Sequence, residues 1–175
     1  MRRPRDVMRI DEIIENLRAD FAPWVAKNRG VLTIAKDPWH ALEILCNSPQ
    51  GLQFVLGWGG DEPEGEQPQE PLGNNIIELT VAYNLGMEAD RDAALMKNRE
   101  NRPSLLKLVS DARARLLAYV YAADDEPQFM AYGGTSPVTL PEGMPLAAYR
   151  IRATILQSVD VDEKYRGPGA SLVGH

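Results

Sequence analysis

The stretch NNIIELTVAYNLG, residues 74–86, constrains the fold more than any other part of the chain. Ile77, Leu79, Val81, Tyr83 and Leu85 fall on one side of an extended backbone, and Glu78, Thr80 and Asn84 fall on the other. Only a strand has a period of two, and the split into an apolar and a polar side predicts an antiparallel sheet buried on one face. A sheet of that kind needs a cover, and two segments supply one. In MRIDEIIENLRADF, Ile10, Ile13, Ile14, Leu17 and Phe21 form one helical stripe. That helix is expected to end near Pro23, or to continue kinked toward Asn28 with Gly30 as its stop. In RPSLLKLVSDARARLLAYVYAADD, residues 102–125, Leu105, Leu106, Leu108, Val109, Ala112, Leu116, Leu117 and Val120 make a broad stripe suited to lying across a sheet.

Further elements fill out the order. VLTIA, residues 31–35, is short and rich in β-branched residues, so it reads as a strand. In DPWHALEILCN, Asp37 can cap a short helix while Pro38 takes its first position, where a missing N–H costs nothing. LQFVLGW, residues 52–58, alternates as a strand with Phe54, Leu56 and Trp58 on one side. QFMAYGG and AAYRIRATILQSVDV suggest two closing strands. The fold expected is therefore α+β: an antiparallel sheet of four to five strands, packed on one face by an N-terminal and a central amphipathic helix. Its divisions are a basic N-terminal arm at 1–9, a single domain at 10–161 and a flexible, Gly-rich tail at 162–175.

Between two of these strands lies GWGGDEPEGEQPQEPLGNN, residues 57–75, with five acids (Asp61, Glu62, Glu64, Glu66, Glu70), three prolines and no base. It reads as a long acidic hairpin loop. Its acids lack the spacing and closing Glu of a calcium loop. Its glycines lack the Lys-Ser/Thr of a phosphate loop, and the adjoining carboxylates would repel phosphate.

The net charge of −6 argues against a dedicated nucleic-acid binder. Arg2, Arg3, Arg5 and Arg9 nevertheless crowd the N-terminus; they read as a solvated tail, with a basic arm docking on an acidic partner as the alternative. The single cysteine, Cys46, excludes an intrachain disulfide and a cysteine-based zinc site, and it suits a reducing compartment. No segment reads as a membrane span or secretory signal, so a cytoplasmic protein is expected.

Catalytic chemistry is sparse. His175 is terminal, and His40 and Cys46 lie about 240° apart around a helix, which prevents a dyad within it. No catalytic residue, cofactor or metal site is expected. A dispersed carboxylate–arginine site made of Glu78, Arg150 and Arg152 on the polar side of the sheet stays open, beside the plainer reading of a surface ion pair.

The order of elements, carried by "NIIELTVAYNLG", "RPSLLKLVSDARARL" and "AAYRIRATIL", resembles the tail-terminator or tail-completion (minor tail) proteins of long-tailed bacteriophages and prophages. The likeness runs from about Ile10 to Val161. It implies a structural, non-enzymatic protein whose six copies form a ring that caps the tail tube. The implied partners are the chain itself, the tail-tube protein and the head–tail connector, without sequence-specific nucleic-acid binding or a membrane. The implied locations are the cytoplasm during assembly and then the virion tail. Within that likeness Asp61, Glu62, Glu64, Glu66 and Glu70 would face a neighbour or a DNA-conducting lumen, where like charge keeps phosphate at bay. A non-enzymatic adaptor that binds a protein through the free face or edge of its sheet is the alternative.

Overall fold

A computed structural model describes residues 9–47, 51–63, 72–99, 102–122 and 128–158 of the chain. Helix α1 (Ile10–Lys27) leads into strand β1 (Val31–Ala35), helix α2 (Pro38–Asn47) and the long strands β2 (Leu52–Pro63) and β3 (Leu72–Asn84). A single 3-10 turn at Leu85–Met87 precedes the short helix α3 (Arg91–Met96) and the central helix α4 (Leu105–Ala118). The last described elements are β4 (Val120–Ala122), β5 (Gln128–Phe129), β6 (Ala131–Pro137) and β7 (Leu146–Ser158).

Five strands make the main sheet, in the order β1-β2-β3-β7-β6. The α+β class expected from the sequence holds, with one refinement of the sheet. Its β2, β3, β7 and β6 pair antiparallel, whereas β1 pairs parallel with β2, Val31 opposite Gln53 and Ala35 opposite Gly57. The connection explains this, because α2 returns the chain to the start of β2 and a helical crossover sets neighbouring strands parallel.

One face of the sheet carries the main core. Ile13, Leu17 and Phe21 of α1 and Leu105, Leu108, Ala112 and Leu116 of α4 pack on Phe54, Leu56, Leu79, Val81 and Ile151. The alternating positions of β3 therefore enter the core as their spacing predicts. Burial of such side chains contributes about 1.5–3 kcal/mol each. Pro23 does not end α1: it and Ala19, the residue four positions back that loses its N–H partner, both sit on the solvent side, where water can serve the freed carbonyl.

A second, smaller cluster lies on the other face, where Leu45 of α2 packs with Ala35, Val55, Ala82 and Ala148. The sheet is thus covered on both faces, fully by α1 and α4 and in part by α2. That partial cover leaves the β7–β6 side of the second face more open, whereas Glu78, Thr80 and Asn84 of β3, read as the polar, unburied side, are buried there.

Among the later elements, two boundaries differ from the sequence reading. α4 stops at Ala118, and Val120 and Tyr121 pass into β4, which pairs with β5 as a separate two-stranded sheet. Aromatic and β-branched residues in the run YVY favour extended backbone once the helix stripe has ended. QFMAYGG is consequently split between β5 and β6. Residues 1–8 of the basic arm expected at 1–9 and the tail at 162–175 lie outside the described residues, as do 159–161 at the end of the expected domain, while Arg9 caps α1 and pairs with Asp11 at 2.7 Å.

Candidate functional site on the second sheet face

Asp61 and Glu62 are not in a loop. They continue β2, opposite Asn75 and Asn74 of β3, and β7 backs the same rows through Ile155 and Leu156. A register shift between Trp58 and Asp61, with Gly60 at a φ of 96°, lets the strand resume past the glycine pair. Ladder pairing with β3 then outweighs the poor strand propensity of the acids. Both carboxylate residues are exposed. Glu64, Glu66 and Glu70, in the connection at 64–71, lie outside the described residues.

The arrangement that sequence spacing placed on the polar side of the sheet does come together. Glu78 stands opposite Arg152 across the β3–β7 pair, and Arg150 is one same-face position along β7. Arg152 donates from Nε to Glu78 Oε1 at 2.9 Å, and Arg150 Nε lies 3.6 Å from Oε2. The second separation is an ion pair rather than a hydrogen bond, and Arg150 Nε has no hydrogen-bond partner. The Glu78 side chain is only 8% exposed, against 27% for Arg150 and 46% for Arg152. Gly59 makes room for this carboxylate: a Cβ there would stand 3.0 Å from Glu78 Cγ. The cluster holds two guanidiniums against one carboxylate, so it carries one surplus positive charge.

Beside it, α2 begins. Asp37 caps the helix as expected, accepting from His40 N at 2.8 Å, and His40 Nδ1 accepts from Lys36 N at 3.1 Å. With Nδ1 occupied as an acceptor, a neutral imidazole carries its proton on Nε2. Trp39 projects from the first turn and is 81% exposed, the most open of the large apolar side chains described. It separates two hollows. One, of about 330 Å³, is lined by Pro38, Trp39, Leu42, Pro137, Val138 and Arg150. The other, of about 500 Å³, is lined by Asp37, His40, Glu43 and Cys46 among others. The first mixes apolar side chains with Thr139 and the Arg150 cation, and the second includes the acids Asp37 and Glu43.

A further cluster escaped the sequence reading. Glu88, whose side chain is 2% exposed, lies 3.1 Å from Arg99 Nη2 and 2.6 Å from Arg102 Nη1. The Arg102 contact is ionic, because Glu88 Oε1 has no aligned hydrogen bond. Arg102 also stacks over Tyr83, 5.7 Å from the ring centroid. Burial first of all pushes the Tyr83 phenol up, with Arg102 opposing and Glu88 reinforcing the shift. These residues tie the end of β3 to the segment before α4. Glu88 and Arg99 belong to a polar stretch, MEADRDAALMKNREN, in which no spacing distinguishes Glu88 from its neighbours.

Among the described residues, no group of three or more His, Cys, Asp or Glu side chains could hold a metal ion. No helix among them is long and apolar enough to cross a membrane. No protein-family model matches the chain, and no curated protein matches it.

Proposed function

We propose that the chain is a non-enzymatic structural protein of the long-tailed-phage type, a tail terminator that closes the tail tube as a ring of identical copies and meets the head connector. The observation that supports this reading is the exposed far end of β2, held in the ladder with β3 and β7. Beyond Gly57, every residue of β2 whose burial is described is half-buried or exposed, yet the ladder continues to Pro63 opposite Gly73. An isolated hairpin is marginal in water, and a third strand stiffens it. The result is a stiffened strand end that presents Asp61 and Glu62 to solvent, suited to a neighbour or a lumen, while Ile155 of β7 in the same row stays in the core. The family resemblance read from the sequence supports the same assignment. Assembly in the cytoplasm and residence in the virion tail follow from that resemblance.

Light scattering after size exclusion, over a wide concentration range, tests it. The expected outcome is a mass that climbs from the 19.4 kDa protomer toward six copies. A strict monomer at every concentration, and in the presence of tail-tube protein, would overturn the ring.

One observation favours a second reading. Trp39, exposed between two hollows, has the form of an anchor in a protein-binding surface, where aromatic side chains dominate. A monomer that captures a different chain through this face would be the adaptor.

A further inference from the structure

We infer that the Trp39–Arg150 hollow on the second sheet face is the receptor for the acidic β2–β3 hairpin of another copy of this chain. This deepens the ring reading and rests on it for the identity of the occupant. The chemistry is complementary on both sides. The hollow offers an exposed indole, the apolar side chains Leu42 and Val138, and Arg150, a member of a cluster with one surplus positive charge. The hairpin offers five acids and no base across residues 57–75.

The occupant comes from a second copy because the described acids cannot reach their own hollow. Asp61 lies in the row of Asn75, and Arg150 lies in the row of Thr80. Five residues of β3 separate these rows, about 17 Å at the rise of an antiparallel strand. A head-to-tail contact between two different surfaces is also the kind that generates a closed ring. Asp37 and Glu43 around the second hollow repel a carboxylate, so they direct the acidic segment to the Arg150 side of Trp39.

The test separates this site from the ring. The receptor is the full chain carrying Asp61→Asn, Glu62→Gln, Glu64→Gln, Glu66→Gln and Glu70→Gln, so that no copy presents its own acids. The probe is a synthetic peptide of residues 59–72, titrated while the three tryptophan indole N–H resonances are followed by NMR. The inference expects the Trp39 signal to move while Trp24 does not, with affinity by isothermal titration calorimetry at least tenfold weaker for the all-amide peptide and for the Trp39→Ala receptor. Trp39 is exposed, so that variant keeps its thermal midpoint. Equal binding of the amide peptide, movement confined to other indoles, or no binding would overturn it. In a second arm, Trp39→Ala chains and acid-neutralised chains are each expected to stay monomeric, and a mixture to give a dimer that grows no further. Peptide binding with a wild-type chain that never self-associates would keep the site and remove the ring. Full self-association of the acid-neutralised chain would keep the ring and remove the site.

Discussion

Glu78 is the residue on which the second sheet face depends, because one nearly buried carboxylate faces two guanidiniums. Breaking a fully buried pair costs about 3–5 kcal/mol, since a charge is left without a partner. Here both arginines reach water, and screening reduces that figure. Glu78→Gln is expected to cost about 1–2 kcal/mol by denaturant titration. The two arginines should also separate. A double-mutant cycle of Glu78→Gln with Arg152→Gln is expected to show a larger coupling than the cycle with Arg150→Gln, because only Arg152 is within hydrogen-bond distance at 2.9 Å. Equal couplings would place the attraction in the general field of the cluster rather than in that bond.

Among the elements, α4 shows how a helix is placed by its ends as well as its stripe. Ser104 precedes it with extended backbone and accepts from Lys107 N at 3.2 Å, and the residue is buried. Its own N–H is held by Asn98 Oδ1 at 3.1 Å, which joins the cap to the segment after α3. Ser104→Ala is therefore expected to lower stability by about 1 kcal/mol, and Ser104→Asp, which restores an acceptor, to recover part of it. Calorimetry of the three chains checks this order. A cap without energetic weight would leave all three midpoints equal. At the other end the helix gives way to β4 at the residue where strand pairing becomes available. Helix stripe and strand propensity overlap there, and the sequence pattern alone ran the helix on through Val120.

At the scale of the molecule, three of the described tyrosines lie where burial favours the neutral phenol. Burial raises Tyr83, Tyr119 and Tyr121 above the ordinary value of 10.0. Tyr132 moves down, chiefly through its hydrogen bond with Thr135, but it sits in water and adds little. Above pH 10 the folded chain therefore holds more protons than the unfolded one. The stability these three groups supply is complete below the unfolded value near 10 and is lost as pH rises through their folded values. Denaturation at successive pH values from neutral to strongly alkaline is expected to show that fall. Tyr121→Phe should make it shallower, because burial alone shifts that group. An unchanged slope would assign the fall to other titrating groups.

What the residues alone determined is what local periodicity and end chemistry determine. The two-residue alternation of β3, the stripe of α1 and the Asp37–Pro38 start of α2 all appear in the structure as read, since each depends on neighbours a few positions away. The pairing of Glu78 with Arg150 and Arg152 was legible in part, because alternation places each on the polar side of its strand. Only the tertiary structure decided their register, 74 residues apart for the closest pair, and the choice of Arg152 as the hydrogen-bonded partner. It also decided the parallel edge strand, the continuation of β2 through Asp61 and Glu62, and the exposure of Trp39. Each of these turns on which distant strand or helix lies alongside, and that follows from the packing of the whole core, not from any single stretch.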